Sequence, residues 1–248
     1  MSKTVREQIR ENVAKRQTRG KFVEKLIPFI LLLCAIVSVL TTFGIVLTLL
    51  FETMTFFTHV PMADFFASKE WYPFFEDDPD YGIWALVSGT LLIAVIAMIV
   101  AIPIGLASAI YLSEYASDRL RRVIKPILEV LAGIPTIVYG FFALTFVTPV
   151  LQTFIPSLPV FNALSPGIVV GIMIIPMVAS LSEDAMSAVP NAIREGALAM
   201  GATRLEVALK VVVPAAFSGI IASFVLGISR AIGETMIVSV AGGATPKF

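Results

Sequence analysis

The feature that most constrains this chain is an apolar run without a single charged residue, at positions 26–51. It is longer than the apolar runs found in the core of a soluble domain, and it exceeds the roughly 20 residues that a helix needs to cross a bilayer. It is also too long for the hydrophobic part of a signal peptide, so we expect it to be retained. With 57% hydrophobic and 15% charged residues overall, the sequence predicts an all-α polytopic membrane protein.

Four further apolar stretches complete a predicted domain of five spans, and they occupy positions 83–112, 130–151, 167–181 and 211–240. Pro135 interrupts the third span, and Pro176 lies within the short fourth one, which is typical of broken helices that line transporter cavities. The proline-containing segment 152–166 is either a rigid external connection or a re-entrant cap. We therefore divide the chain into a basic N-terminal segment, 1–25, and a transmembrane domain, 26–248.

Charge alternates between the loops and predicts the topology. The first 25 residues contain eight Lys or Arg residues and three Glu, whereas the loop 52–82 has one Lys and seven acids, namely Glu52, Asp64, Glu70, Glu76, Asp77, Asp78 and Asp80. By the positive-inside rule, the N-terminus is cytoplasmic and the acidic loop is external. The N-terminal segment is either a helix on the inner leaflet or a disordered basic tail. In the basic loop after the second span, the spacing of Lys125 and Glu129 predicts a local i, i+4 pair.

A polar segment at 182–210 separates the last two spans and reads as two short helices joined by a bend. Pro190 suits the first turn of the first helix, in which Ile193, Ala197 and Met200 recur at helical spacing. Gly201 ends that helix. Thr203 and Glu206 then have the spacing of a capping box, which starts the second helix. A short, bent helix of this kind suits insertion into a groove of another protein, although a helix at the lipid headgroups is the alternative.

These residues resemble the EAA loop of ABC importer permeases. The matching positions are Glu195, Gly196, Ala197, Gly201 and Pro214, with Gly196 where the family has its first alanine. In that family the loop docks on the ATP-hydrolysing subunit. The resemblance therefore implies ATPase-subunit docking by Ile193, Glu195, Gly196, Ala197, Met200 and Gly201.

A wider resemblance links residues 81–240 to the C-type permease of the phosphate importer, on the strings at 131–140 and 227–236 and on the EAA loop. It implies a type I ABC importer permease core in a heterodimer with an A-type permease, two copies of an ATP-binding subunit, and an external phosphate-binding protein. The family usually has six spans, so the resemblance also suggests that a closing C-terminal helix is missing here. It implies location in a bacterial or archaeal cytoplasmic membrane.

Arg230 and Glu234 are the candidate residues of the substrate path. An arginine within a span costs at least about 2.5 to 3.5 kcal/mol, so it normally faces a cavity, a partner or a substrate, and its planar fork suits phosphate oxygens. Within one straight helix, Glu234 would lie one turn away on the same face and gate or position Arg230, which would stand about 24 Å from Pro214. An ion pair that only fixes packing is the alternative.

Several functions are not expected from this sequence. It lacks the glycine-rich loop that cradles ATP phosphates and any nucleophile with its base, so we expect no enzymatic activity and no bound cofactor, with ATP and Mg²⁺ on the partner ATPase. One Cys and one His indicate no metal site. Nothing indicates a nucleic-acid partner; membrane lipid is expected. The alternatives to phosphate import are a permease for sulfate or molybdate and an ion-coupled secondary transporter.

Overall fold

The computed structural model describes residues 5–73 and 79–243. Three acids of the loop 52–82, Glu76, Asp77 and Asp78, lie outside the described residues. The chain divides into two units, Met1–Phe65 and Phe66–Phe248, which are described in turn.

The first unit consists mainly of one long helix, α1, which extends over Val5–His59. The backbone of the predicted basic segment is therefore helical from Val5 and continuous with the first span. Side chains from Leu26 to Thr55 are exposed, and threonine hydroxyls such as those of Thr41 and Thr48 donate to carbonyls one turn earlier. These hydroxyls thereby find partners within the helix itself, as a span surrounded by lipid requires. Helix α2, Met62–Ala67, follows after Pro61.

The second unit begins with a two-stranded antiparallel ribbon of strands β1, Trp71–Tyr72, and β2, Asp80–Tyr81. Trp71 is paired with Tyr81, and their rings meet edge to face with centroids 6.2 Å apart. Helices make up the rest of this unit, and in chain order they are α3 Ile83–Ile110, α4 Asp118–Ala132, α5 Thr136–Phe142, α6 Thr148–Phe154, α7 Leu164–Ser187, α8 Asn191–Ala199, α9 Arg204–Glu206, α10 Val213–Ala215, α11 Phe217–Ile232 and α12 Met236–Ala241. Short π-helical segments continue α3, α5 and α9 at Tyr111–Tyr115, Ala143–Val147 and Val207–Val212.

Membrane-spanning helices confirm the all-α polytopic fold. Among the described residues, four helices are long and apolar enough to span a bilayer, Leu26–His59, Ile83–Tyr115, Thr136–Phe154 and Leu164–Ser187; a fifth span forms if the bent pair Arg204–Ala215 and Phe217–Ile232 is counted as one. The bend between the members of that pair is 73°, so the single straight span predicted at 211–240 is wrong.

Two other predicted spans differ from the structure in their limits. The third begins at Thr136 rather than at 130, because α4 ends at Ala132 and Pro135, which lacks an N–H, separates it from α5. The fourth is longer than predicted, and α7 continues through Pro176 without a break. Pro176 is buried in the unit where α7 packs against its neighbouring helices, and such packing lets a membrane helix tolerate a proline. Residues 155–163, between α6 and α7, form turns without a helix of their own, and the rest of the segment 152–166 belongs to the ends of α6 and α7.

The core of this unit is built around α7, which packs against α3, α4 and α11. Gly167 and Gly171 of α7 are spaced as a small-xxx-small motif, which lets helices approach closely. A Cβ built at Gly171 would lie 2.7 Å from the carbonyl oxygen of Ala97, so only glycine fits at this crossing. A buried hydrogen bond of 2.7 Å between the hydroxyls of Ser182 and Ser223 joins α7 to α11. Helix α7 is thus the central element in the packing of this unit.

Candidate functional site

The predicted bend after α8 is a C-terminal capping motif. Gly201 has φ +88°, a backbone conformation that favours glycine. Its N–H donates to the Leu198 carbonyl at 3.0 Å, and the Ala202 N–H donates to the Ala197 carbonyl at 3.2 Å. These two bonds form a Schellman motif, in which Ala202 also packs with Ala197 in an apolar cluster. The prediction that Gly201 ends α8 is confirmed.

The start of the following helix is fixed by the predicted capping box. Thr203 Oγ1 accepts a hydrogen bond from the Glu206 N–H at 3.3 Å, and Glu206 Oε2 accepts one from the Thr203 N–H at 3.1 Å. Pro190, in contrast, is extended (φ −59°, ψ 137°) and lies just before α8 rather than in its first turn. The segment thus leaves α7, forms α8, and turns through Gly201 into α9 with both ends of the bend hydrogen-bonded.

The structure divides the predicted docking residues between two faces of α8. Ile193 is 45% exposed and Met200 is 87% exposed, and Glu195 is also exposed. Gly196 is exposed too, and a Cβ added there would meet no atom within 4 Å. Ala197, however, is half-buried and packs inward with Ala202, Met186 and their apolar neighbours. The stripe predicted from helical spacing is therefore not one surface, because Ala197 fastens the helix while Ile193 and Met200 project from it.

Arg194 holds α8 to the rest of the unit, and sequence reasoning missed it. Its guanidinium forms an ion pair with Glu114 at 3.1 Å and donates to the Met186 carbonyl at 2.7 Å. It also donates to the Val189 carbonyl and, at 3.1 Å, to Asn191 Oδ1. The side chains of Arg194 and Glu114 are 15% and 9% exposed. The inward face of α8 is therefore polar as well as apolar.

A second ionic cluster joins α4 to the C-terminal end of α7. Glu183, only 1% exposed, pairs with Arg121 and Lys125, and Ser187 donates to its Oε1 at 2.8 Å. Lys125 also pairs with Asp184. The hydrogen bond that Lys125 donates to the Asp184 carboxylate raises the pKa of Lys125, and the contacts with Glu183 act in the same direction. The local pair predicted between Lys125 and Glu129 is wrong, since α4 turns Lys125 toward α7.

The structure places only one of the two residues predicted for the substrate path within α11. Helix α11 ends at Ile232, so Glu234 does not lie one turn from Arg230 on the same helix. Arg230 is exposed and forms no hydrogen bond or ion pair within the described part of the chain. Glu234 accepts from the Ile237 N–H at 3.3 Å and lines a cavity of about 910 Å³ between α3 and α12. The expected distance from Pro214 along one straight helix is also wrong, because of the 73° bend.

Comparison with known proteins identifies the family. Residues 101–246, more than half of the chain, match the family described as binding-protein-dependent transport system inner membrane component. The chain belongs to this family. The permease is 34% identical over 238 residues to YqgH of Bacillus subtilis, a probable ABC transporter permease protein; the match covers 95% of this chain and 74% of that protein.

Other relatives of the permease are named as phosphate transport system permease protein PstC. That of Xylella fastidiosa is 36% identical over 196 residues, which cover 71% of this chain and 60% of that protein. That of Pasteurella multocida is 37% identical over 190 residues, which cover 69% of this chain and 58% of that protein. The permease thus resembles the C-type phosphate permeases, as the sequence motifs predicted, and spans about 60% of their length.

A solved structure supports the fold. The permease matches a chain of the methionine ABC transporter MetNI in an inward-facing conformation, with a TM-score of 0.50 and 19% identity over 66% of this chain and 74% of that one. At this identity the likeness concerns the fold alone. The permease is therefore a multi-pass inner membrane protein with the fold of a type I ABC importer permease, and its family consists of transport components.

Proposed function

We propose that the permease is a membrane-spanning subunit of an ATP-driven importer for inorganic phosphate, and that α8 docks in a groove of a separate ATP-binding subunit. The observation that carries this proposal is the arrangement of α8. Ile193 and Met200 project into solvent from a short helix whose opposite face is fixed by Arg194 and Ala197. A rigid helix with exposed apolar anchors is the form that grooves of partner proteins accept.

Docking in a protein groove fits α8 better than lying on lipid headgroups. Membrane-surface helices have a broad apolar face and Lys or Arg on the polar one. Helix α8 is nine residues long, its one basic residue, Arg194, is turned inward, and the acidic Glu195 is exposed. An exposed acid would be repelled by anionic lipid, whereas it can pair with a basic residue on a protein.

Phosphate is the proposed substrate because of the relatives named as phosphate permeases and because of Arg230. Arg230 interacts electrostatically with Tyr139 but forms no hydrogen bond or ion pair in the described part of the chain, so its guanidinium donors are available to an anion. Its planar donors match the oxygens of a phosphate group. Uptake of labelled phosphate, measured in competition with sulfate and molybdate, separates this substrate from the other oxyanions.

The complete transporter, in this proposal, contains further chains. An A-type permease forms the pore with this one, two copies of the ATP-binding subunit carry ATP and Mg²⁺, and an external binding protein delivers phosphate. The permease itself would bind no cofactor. Its N-terminus and α8 would face the cytoplasm, and residues 52–82 the exterior.

Copurification tests the proposal. The permease expressed with its genomic neighbours is expected to recover an ATP-binding subunit, and Met200→Asp is expected to reduce that recovery. Met62→Asp is the matched control, since Met62 is 62% exposed but lies far from α8 along the chain. Recovery of no ATP-binding subunit with the unmodified permease would contradict the proposed function, and an equal loss in both variants would show that α8 is not the docking element.

A further inference from the structure

The contacts of Arg194 connect α8 to two transmembrane helices at once. Glu114 belongs to the π-helical end of α3, and its Oε1 lies 3.1 Å from Arg194 Nη2 and 3.2 Å from Nε. Met186 belongs to the last turn of α7, and Val189 lies in the connection that follows. A single guanidinium therefore donates to α3, to α7 and to the segment between α7 and α8.

These contacts are strong for physical reasons. Hydrogen bonds to charged groups are roughly twice as strong as neutral ones, and a cation is favoured at the negative end of a helix such as α7. Because the Arg194 and Glu114 side chains are mostly buried, pulling them apart would leave a charge without solvent or partner. The contacts of Arg194 with groups on α3 and α7 therefore resist a displacement of α8 relative to these two helices.

The alternative connections are weaker. Besides Arg194, α8 is joined to α7 by the short link through Pro190 and by apolar packing of Ala197, whose single methyl group offers little area. Apolar packing is also non-directional and allows one surface to slide over another. The fork of Arg194 fixes direction, because its donors point to carbonyl and carboxylate oxygens at set angles.

We propose that Arg194 is the positioning residue that transmits movement of α8 to α3 and α7, with Glu114 as its partner. This inference rests on the proposed function, in which an ATPase moves α8. Arg194 touches neither the substrate nor the ATPase. It acts by making α8, the end of α3 and the end of α7 move as one body, so that closure of the ATPase changes the spacing of the transmembrane helices rather than bending the loop.

The chain supplies a matched control in Arg204. This residue lines the same cleft of about 460 Å³ as Arg194 and Glu114, but it is exposed and forms no hydrogen bond or ion pair within the described part of the chain. Replacing either arginine by lysine keeps the charge and removes the planar fork. Arg194→Lys and Arg204→Lys therefore differ in the anchoring contacts and not in net charge.

The experiment compares these variants in the assembled transporter reconstituted in vesicles. Recovery of the ATP-binding subunit, basal ATPase rate, and phosphate taken up per ATP hydrolysed are measured for each. For Arg194→Lys we expect unchanged recovery and basal rate, with uptake per ATP lowered about tenfold, the effect of losing roughly one charge-assisted hydrogen bond. Glu114→Gln should lower uptake per ATP in the same way, and the double variant should be no worse than Arg194→Lys alone. Arg204→Lys should match the unmodified permease.

The possible results distinguish a failure of the inference about Arg194 from a failure of the proposed function. If the unmodified permease recovers no ATP-binding subunit, the proposed function is wrong. If it does recover one and Arg194→Lys retains normal uptake per ATP, only the role of Arg194 is wrong. If Arg194→Lys prevents assembly, or lowers thermal stability and uptake in proportion, Arg194 is a folding residue and the inference is overturned. Additive effects of Arg194→Lys and Glu114→Gln would overturn the partnership with Glu114.

Discussion

Lys125 Nζ lies 3.1 Å from Glu183 Oε2, although the two residues are 58 positions apart in the chain. This bond, together with the ion pair between Arg121 and Glu183, joins α4 to the end of α7 around a carboxylate that is 1% exposed. Removing one member of a buried ionic cluster leaves the charges of its partners uncompensated. The resulting loss of stability is larger than the net contribution of the intact ion pair.

We therefore predict that Glu183→Ala lowers the free energy of unfolding by about 3 kcal/mol, the lower end of the range for broken buried pairs, because its cationic partners are about one third exposed. Asp184→Asn is the control; Asp184 is 54% exposed and its pair should contribute less than about 1 kcal/mol. Denaturation of the purified permease in detergent measures both. Equal losses of unfolding free energy in the two variants would contradict the central role of Glu183.

The close contact at Gly171 gives a prediction about helix packing. A Cβ at this position would lie 2.7 Å from the Ala97 carbonyl oxygen and 2.8 Å from the Val100 Cβ, both on α3. We expect Gly171→Ala to push α3 and α7 apart and to destabilise the fold by about 1 to 3 kcal/mol. Gly196→Ala, where a Cβ meets nothing, should instead stabilise α8 by about 0.5 to 1 kcal/mol. The same unfolding assay applies, and a neutral Gly171→Ala would mean that the two helices can separate freely.

Gly201 tests whether the bend after α8 matters for coupling. Space around it is open, but its φ of +88° costs a non-glycine residue roughly 1 to 2 kcal/mol, and a β-branched residue is the least tolerated. Gly201→Val should therefore distort the bend and lower either recovery of the ATP-binding subunit or uptake per ATP, with membrane insertion intact. Gly201→Asn should retain both, because asparagine adopts this conformation more readily. Full transport by Gly201→Val would show that the bend is dispensable.

The sequence predicted local features well and long-range ones poorly. The capping box of Thr203 and Glu206 is correct because both partners lie within one turn, and the fold class follows from hydrophobic runs that each span a bilayer. The pairing of Lys125 was wrong because its true partner, Glu183, is brought close only by tertiary packing. Arg194 was missed for the same reason, since Glu114 lies 80 residues away.

Two other differences had signals in the sequence. The glycines at 167 and 171 have the small-xxx-small spacing from which a close helix crossing could have been predicted. Gly233 stands between Arg230 and Glu234, and a glycine near the end of an apolar run is a common helix terminator. Taking Gly233 into account would have argued against placing Arg230 and Glu234 on the same face of one helix.

Membrane orientation is open to a direct test. Basic residues in 1–25 and 119–125 and acidic residues in 52–82 predict that α8 is cytoplasmic. With Cys34 replaced by alanine, a cysteine introduced at the exposed Ala199 should react with an impermeant thiol reagent only after cells are opened, and one at the exposed Ala63 should react in intact cells. The reverse pattern would invert the topology and place the docking helix outside the cell.

Arg230 provides the sharpest test of the transport path. Its charge within an apolar helix costs at least about 2.5 to 3.5 kcal/mol, and no ion pair in the described part of the chain offsets that cost. We predict that Arg230→Gln abolishes phosphate uptake while assembly, thermal stability and basal ATPase activity are retained. Arg230→Lys should keep part of the uptake, since it preserves the charge without the planar fork. A variant that disassembles the complex, or one that transports normally, would assign Arg230 to packing or to no role.

Glu234 should act independently of Arg230, because Glu234 lies beyond the end of α11 and no hydrogen bond or ion pair joins the two side chains in the described part of the chain. Residues without shared contacts give additive effects, within about 0.3 to 0.5 kcal/mol. We therefore expect Glu234→Gln to reduce uptake by its own factor, and the double variant Arg230→Lys with Glu234→Gln to show the product of the two single factors. Glu234→Asp is the control that retains the negative charge. If that charge acts by repelling or releasing phosphate at the cavity beside α12, Glu234→Asp should keep most of the uptake that Glu234→Gln loses. Rescue of Arg230→Lys by Glu234→Gln would instead reveal a direct ion pair that forms in the transporting state.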